Sequence, residues 1–283
     1  MSNLLIIGCS YSHLFHHKLY DKKENSYTVH LMKELGFNKL INLSMPGASP
    51  STVNRILLQY LNNPVFGKPD FVFIQWPNAN RHEYFMDNEY VCEDLMYLTT
   101  SIKQGLIHFG WAEGKERDDE DATPLIIANN TWTSTTRMRD GVDPRVWDLE
   151  PEKNKPVDDR YRDAHDRIFV EDSQQLVSLC KEVGIAENYL GNLRIPYAYV
   201  ESDFWDGQGI LANTHYDKPA YNYAQYLCHK QHFIPGIGIQ NGSPTYANDD
   251  YPDGHPGPQS HRNFADVLIP ILKKRMDSNY ARI

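Results

Sequence analysis

A serine directly after an apolar stretch, and an aspartate and a histidine near the other end of the chain, could together do chemistry. Ser10 follows the stretch LLII at 4–7, and Asp253 and His255 lie in the polar segment DDYPDGHPGP at 249–258. A serine hydroxyl becomes a nucleophile when an imidazole takes its proton and a carboxylate orients that imidazole. The three residues could therefore form an acyl-serine site, although a plain turn is the alternative interpretation of each half.

The residues around Ser10 also have other interpretations. Ser10 could instead cap the helix that is expected to follow it. Cys9 is expected to be a small buried side chain rather than a nucleophile. His13 and His17 have the i,i+4 spacing that could hold a metal ion on one helix face. No acidic third ligand is evident near them in the sequence, so we expect a polar surface there and not a metal site.

Short apolar strands and helices alternate along the chain and must position these residues. Strands are predicted at 4–8, 39–43, 70–74, 124–128 and 195–200. Helices are predicted at 27–35, 51–61, 90–109, 163–183 and 259–276, with Ser49 or Ser51 as the cap of the second helix and a bend at Pro270 in the last one. Such alternation predicts an α/β fold, in which a five-stranded parallel sheet has helices on both faces.

The carboxyl ends of the predicted strands carry small or polar residues. They are GCS at 8–10, QWPN at 75–78 and NNT at 129–131. Because functional groups collect at the carboxyl ends of parallel strands, these three segments are expected to line one crevice.

Two long connections interrupt the alternation within a single predicted domain that covers 1–283. Residues 110–162 include the acidic run GKERDDED, which is expected to be a solvated loop. Residues 201–257 are rich in Tyr, Asn, Gly and Pro. Long connections of this kind often carry function, so 201–257 could bind a carbohydrate or a protein assembly partner, with a solvated loop as the equal alternative.

Three sequence blocks resemble those of the SGNH (GDSL-type) hydrolase family. GCSYS at 8–12 is similar to the first block, G-D-S-x-S, with Cys9 in the place of the usual aspartate. NLSMPGAS at 42–49 is similar to the second block, and DGHP at 253–256, followed by His261, is similar to the last one. The blocks follow the predicted strands in the family's order and run from one end of the chain to the other.

The resemblance implies a flavodoxin-like, three-layer α/β/α fold and a role for each matching residue. Ser10 would be the nucleophile, His255 the general base and Asp253 the carboxylate that orients His255. The backbone N–H groups of Ser10 and Gly47 would donate to the oxyanion, and a glycine lets a ligand approach the backbone closely.

The catalytic carboxylate remains open between two residues. The family places its aspartate three residues before the histidine, whereas Asp253 is only two residues before His255. Asp250, five residues before the histidine, could replace it.

The third block of the family is not matched by QWPNANR at 75–81. Asn78 is nearest to the family's oxyanion asparagine, and Asn80 and Gln75 are alternatives. Arg81 could bind an anionic or sugar hydroxyl group, and Trp76 could line a sugar-binding cleft.

Composition excludes several classes of protein. The net charge is −9 with 41% hydrophobic and 23% charged residues, which argues against a nucleic-acid-binding role. The sequence has no stretch of about 18 apolar residues, so no membrane span is expected. The four cysteines form no C-x-x-C pair, and the first residues lack a positively charged region. A cytoplasmic location is therefore predicted, and a virus particle is the alternative implied by a resemblance that is given in the next paragraph.

Two functions of different classes follow from these observations. The first is an SGNH-type serine esterase, and the resemblance implies a small ester or an O-acetylated carbohydrate as its substrate and no metal or organic cofactor. The second is an SGNH-fold binding or structural module with reduced catalysis, which the unmatched third block and the Tyr-rich connection at 201–257 favour. The chain also resembles SGNH-like proteins of bacterial viruses, in which such a module could belong to the particle. A nucleotide-binding domain is disfavoured because no glycine-rich phosphate loop follows the first strand.

Overall fold

The structure is a computed structural model, and part of the 283-residue chain can be described from it. The described residues are 2–13, 25–45, 48–64, 66–77, 79, 81–85, 96–101, 106–111, 125–126, 131–135, 172–201, 232–239, 243–251 and 254–277. The strands are β1 (Asn3–Ile7), β2 (Lys39–Asn42), β3 (Phe71–Trp76), β4 (Arg81–Phe85), β5 (Met96–Ser101), β6 (Leu106–Trp111), β7 (Leu125–Ile126), β8 (Thr131–Thr135) and β9 (Tyr197–Glu201). The helices are α1 (Tyr27–Glu34), α2 (Pro50–Asn62), α3 (Asp172–Asn192) and α4 (Pro258–Asp277).

The centre of the sheet is parallel, as the alternation predicts. β1 pairs in parallel with β2 on one side and with β3 on the other, and β9 pairs in parallel with β3. The order β2-β1-β3-β9 is the beginning of the doubly wound, flavodoxin-like strand order. In such an order the next strand, β2, is added on one side of β1 and the following strand, β3, on the other. Doubly wound sheets bind their ligands at this switch point, at the carboxyl ends of β1 and β3.

The sheet has seven strands, so the prediction of a five-stranded parallel sheet is wrong in the number of strands. The strand order is β7-β5-β6-β2-β1-β3-β9, and four of the seven strands correspond to predicted central strands. β6 extends the parallel part beside β2, whereas β5 is antiparallel to β6 and β7 is antiparallel to β5. The strand predicted at 124–128 is thus a two-residue strand at the edge of the sheet. Its place was not predicted because a short apolar run reveals neither the direction of a strand nor its position in a sheet. β4 and β8 form a separate antiparallel pair.

Two predicted helices differ from the structure. The helix predicted at 90–109 is wrong, because β5 and β6 occupy much of this range. Their sequences MYLTTS and LIHFGW are rich in β-branched and aromatic residues, which favour strands over helices. The helix predicted at 163–183 is described from Asp172 and continues past Gly184 to Asn192. Burial of Val183 and Ala186 on either side of this glycine compensates for its cost of about 1 kcal/mol in a helix.

The helices cover both faces of the sheet and give three layers. α1 and α4 pack on each other and on the face that carries Leu4 and Ile6. α2 and α3 pack on the opposite face, with Leu5 and Ile7. Successive side chains of a strand point to opposite faces, so β1 is apolar along its whole length because both faces are covered.

The helix ends follow from local sequence. Ser49 caps α2 by accepting a hydrogen bond from the Thr52 N–H, which decides between the two serines proposed as its cap. Ser26 caps α1 in the same way. Gly36, with φ of +77°, follows the end of α1 and adopts the left-handed conformation that favours glycine. No helix among the described residues has the length and apolar character needed to cross a membrane.

Part of the predicted insertion at 201–257 extends the sheet instead of leaving it. Phe233 forms a single parallel bridge to Tyr199 of β9, with the Ile234 N–H 2.9 Å from the Tyr199 carbonyl oxygen. Arg275 of α4 donates to the carbonyl oxygens of His232 and Phe233 at 2.7 and 2.8 Å. This segment therefore occupies the position beyond β9 where a flavodoxin-like fold places its fifth strand.

Candidate active site

Ser10 lies in a tight turn at the carboxyl end of β1. The Ser12 N–H donates to the Cys9 carbonyl at 3.0 Å, and the His13 N–H donates to the Ser10 carbonyl at 3.2 Å. The side chain of Cys9 is buried, and Ser10 is 7% exposed. The structure thus places Ser10 where a doubly wound sheet opens its crevice, as the sequence predicts.

Gly8 allows this turn to lie close to the neighbouring strand β3. A Cβ atom on Gly8 would be 2.7 Å from the Ser12 hydroxyl oxygen and 2.9 Å from the Gln75 carbonyl oxygen. Side chains do not tolerate such distances without displacing their neighbours. The glycine of the first block is therefore required by packing.

Asn42, the first residue of the second block, holds the same turn from the other side. Its amide donates to the Ser12 carbonyl at 2.7 Å, and its side-chain oxygen accepts the Ser44 N–H at 3.0 Å. The first two sequence blocks are thus joined by a buried side chain. Gly47, the predicted oxyanion donor of the second block, lies outside the described residues.

Three buried polar side chains lie behind the turn on the α1 side of the sheet. The hydroxyl oxygens of Ser12 and Tyr27 are 2.5 Å apart, and both hydroxyls are hydrogen-bonded to Gln75 Oε1. Burial raises the pKa of Tyr27, so its hydroxyl stays protonated over the whole neutral range. Sequence reasoning missed Tyr27 because its contacts are distant in sequence, and it considered Gln75 only as an oxyanion donor.

His255 lies in a closed loop that leads into α4. The Tyr251 N–H donates to the His255 carbonyl at 2.8 Å, and the Gly254 N–H donates to the Tyr251 carbonyl at 2.9 Å. The imidazole meets the ring of Tyr11 edge-on, with 5.6 Å between the ring centroids. Since Tyr11 is next to Ser10, the His255 loop lies against the turn that carries the serine.

Asp249 anchors this loop to the first turn of α4. Its carboxylate accepts the N–H groups of Gln259 and Ser260 at 2.6 and 3.2 Å and also the Ser260 hydroxyl. Partial burial opposes ionisation, but these hydrogen bonds outweigh it and lower the pKa of Asp249. Sequence reasoning missed this residue, because a cap nine residues before its helix has no local sequence signal.

Replacing Asp249 with alanine is expected to destabilise the protein by about 1–2 kcal/mol, the range for a lost helix cap. Asp249→Asn keeps an acceptor and is expected to lose less. Urea unfolding at pH 7 measures both values. Equal losses in the two variants would show that the carboxylate does not act through hydrogen bonding. Because the pKa is lowered, the charge-dependent part is present above about pH 4 and is lost as the pH falls further.

His261, in the first turn of α4, has a structural role. Its Nδ1 accepts the Tyr27 N–H at 3.3 Å, and its ring stacks on the Tyr27 ring at 5.8 Å. Burial lowers the pKa of His261 to about 4, with Asp249 opposing this shift and with His30 and His255 adding to it. The imidazole is therefore neutral at pH 7, and it joins the first turn of α4 to the beginning of α1.

Acidification is expected to destabilise the protein through His261. Its pKa in the folded state is about 4 and its ordinary value is 6.5, so the unfolded chain binds more protons below pH 6.5. The stabilisation is complete above pH 6.5 and is lost as the pH falls, by about 2 kcal/mol between pH 7.5 and pH 5. Urea unfolding at the two pH values measures this loss. His261→Asn keeps an acceptor near Nδ1 and should lack most of the pH dependence, and an unchanged dependence would contradict the assignment.

The remaining predicted site residues lie in different settings. Asp250 is exposed and accepts the Tyr246 hydroxyl at 2.6 Å. Trp76 is 1% exposed within the core between the sheet and α2, and its contact with a substrate stays a prediction. The backbone of Arg81 begins β4, opposite Thr135. The predicted residues outside the described part of the chain are Asp253, Asn78, Asn80 and His17.

Within the described part of the chain, no group of three or more His, Cys, Asp or Glu side chains could hold a metal ion. His13 is buried, whereas the sequence predicts a polar surface at this position, so that prediction is wrong for His13.

Comparisons with known proteins give weak similarities. No family model matches the chain, and no curated protein matches it significantly. The solved structure of TesA aligns with 12% identity and a TM-score of 0.45, over 96% of this chain and 99% of that one. A structure assigned to the G-D-S-L family of lipolytic proteins, from Desulfitobacterium hafniense DCB-2, aligns with 8% identity and a TM-score of 0.44, over 96% and 99%. The sequence blocks of this chain resemble those of the same family.

Proposed function

We propose that the chain is a serine esterase of the SGNH type, with Ser10 as the nucleophile and His255 as the general base. One observation carries the proposal: the ring of Tyr11, next to Ser10, contacts the His255 ring at 5.6 Å. Two sequence blocks separated by more than 200 residues are thereby adjacent at the carboxyl end of β1. Acyl transfer requires the serine hydroxyl and an imidazole within hydrogen-bond reach, and the contact of Tyr11 with His255 brings the two segments close enough for us to propose this pair.

In the proposed reaction, the Ser10 hydroxyl oxygen attacks the carbonyl carbon of an ester while His255 takes the hydroxyl proton. His255 then gives this proton to the leaving alcohol, and water hydrolyses the acyl-serine by the reverse sequence. The Ser10 N–H is a proposed oxyanion donor, with Gly47 and Asn78 as further proposed donors.

The carboxylate partner of His255 is proposed to be Asp253. The exposure of Asp250 and its hydrogen bond with Tyr246 disfavour the alternative. Asp249 is equally disfavoured because its carboxylate oxygens are bound by the first turn of α4.

The substrate is proposed to be a small ester, such as an O-acetyl group on a carbohydrate, with Arg81 and Trp76 as candidate contacts. Residues 201–257 are the proposed place for a carbohydrate or an assembly partner. The proposed location is the cytoplasm or a virus particle.

Covalent labelling tests the proposal directly. The protein is incubated with a fluorophosphonate probe, which phosphonylates activated serines, and the intact mass is measured. We expect a single adduct that is absent in Ser10→Ala and retained in the matched control Ser178→Ala on α3. If the folded protein gives no adduct, or if Ser10→Ala keeps it, the esterase proposal is wrong, and a binding module becomes the better interpretation.

A further inference from the structure

We infer that Ser12, Tyr27 and Gln75 form a positioning cluster that holds the Ser10 turn in its reactive shape. The inference deepens the proposed function and rests on it. All three side chains are fully buried, and the two hydroxyls and Gln75 Oε1 are hydrogen-bonded within the cluster. Because they are fully buried, we expect them to act on the reaction through the Ser10 turn and not by touching a substrate.

Ser12 is the residue through which the cluster acts on the turn. Its N–H donates to the Cys9 carbonyl, its carbonyl accepts from the Asn42 amide at 2.7 Å, and its hydroxyl donates to Gln75 Oε1. Every polar group of Ser12 is thus bound. Since Ser10 is only two residues earlier, these bonds restrain the backbone of the turn from which the Ser10 side chain projects.

Three buried polar side chains are unexpected at a place in the core that has only a structural role. Gln75 lies on the same face of β3 as Phe71 and Phe73, and Tyr27 packs edge-on against Phe73 and Phe264. Apolar side chains of similar size would suit this layer without the cost of burying polar groups.

Gln75 also carries a cost that its hydrogen bonds do not remove. Its Nε2 is buried and has no hydrogen-bond partner among the described residues. An unpartnered buried donor is unfavourable for stability. The presence of a glutamine at position 75 is therefore not explained by stability. It is better explained by its Oε1 atom, which is hydrogen-bonded to the Ser12 and Tyr27 hydroxyls and so orients Ser12.

Four variants test the inference through the kinetics of fluorophosphonate labelling and of ester hydrolysis. Ser12→Ala and Gln75→Met are expected to lower kcat and the maximal labelling rate by about 10²-fold with little change in KM, the loss typical of a nucleophile displaced by about 1 Å. Gln75→Glu keeps an acceptor oxygen and is expected to restore the rate to within about threefold of the parent. Tyr27→Phe is expected to lower the rate by about tenfold, since Ser12 keeps its bond to Gln75.

Tyr60→Phe is the matched control for the loss of a buried tyrosine hydrogen bond. The Tyr60 hydroxyl donates to the Gly67 carbonyl at 2.8 Å, and Gly67 lies against Asn3 at the amino end of β1, the end opposite to Ser10. This variant should lose stability as Tyr27→Phe does but should keep the parent labelling rate. Equal rates in the two tyrosine variants would overturn the inference, as would a Gln75→Glu variant that is as slow as Gln75→Met.

Hydrogen exchange separates a failure of this inference from a failure of the proposed function. If the parent protein is not labelled, the esterase proposal fails, but the cluster can still be examined through the His13 N–H, which donates to the Ser10 carbonyl. Exchange of this N–H should be at least tenfold faster in folded Gln75→Met and Ser12→Ala than in the parent. Unchanged exchange in both variants would overturn the positioning role itself, and Gln75→Met provides this test even if Ser12→Ala does not fold.

Discussion

Replacing His255 with alanine is expected to slow labelling of Ser10 and hydrolysis of a simple ester by about 10³-fold, within the range for loss of a general base. Without an imidazole beside it, the Ser10 hydroxyl keeps its proton and is a poor nucleophile. The physical basis is the contact between the His255 ring and Tyr11, which places the imidazole against the Ser10 turn. The second-order rate constant for fluorophosphonate labelling measures the effect without knowledge of the natural substrate.

The matched control for this variant is His30→Ala. His30 is on α1, where its Nδ1 lies 3.4 Å from an Arg262 side-chain nitrogen at an exposed position. This variant should react at the parent rate. A folded His255→Ala protein that is labelled as fast as the parent would exclude His255 as the base. A comparable loss in His30→Ala would show that the assay responds to general destabilisation.

Replacing Gly8 with alanine is expected to destabilise the protein by about 3 kcal/mol, at the upper end of the usual cost of overpacking. The new methyl group would lie within 3 Å of both the Ser12 hydroxyl oxygen and the Gln75 carbonyl oxygen. The carbonyl belongs to a central strand and cannot move easily, so the turn must shift. Urea or thermal unfolding measures the stability, and Ser10 labelling should fall in the fraction that remains folded.

Gly184→Ala is the matched control, because the same methyl group is added at a different glycine. A Cβ atom on Gly184 has no neighbour within 4 Å, and the residue lies inside α3. Alanine should therefore stabilise this helix by up to about 1 kcal/mol. Opposite signs at the two glycines would confirm that packing, and not the loss of glycine as such, governs the effect at Gly8. A Gly8→Ala protein as stable as the parent would contradict the geometry of the turn.

The central fold could be predicted from sequence because its signals are local. Four of the predicted strands were recognised from short apolar runs, and they form the parallel centre of the sheet. The ends of α1 and α2 follow from Ser26, Gly36 and Ser49, whose roles depend on nearest neighbours only. β5 and β6 were not predicted, since the apolar residues between 90 and 111 fit a helical face as well as two adjacent strands.

The site was predictable only where sequence blocks mark it. Ser10 and His255 were selected from their blocks, and the structure brings the two segments together. Tyr27, Asp249 and His261 act through contacts across the fold, between residues that are far apart or linked to no motif. Such contacts depend on how α1 and α4 pack on the sheet, and no local pattern specifies that packing.

The single bridge beyond β9 has a consequence for the association of this protein with itself. A strand at the margin of a sheet offers unpaired N–H and C=O groups to any other extended chain, and this is a common route to aggregation. Among the described residues, the outer side of β9 is paired at one position only, by the bridge between Tyr199 and Phe233. The Arg275 guanidinium holds the segment that forms this bridge by donating to two of its carbonyl oxygens. Arg275, remote from the proposed chemistry, thus holds the segment that occupies the Tyr199 N–H and C=O groups, so these two groups are not offered to a second molecule.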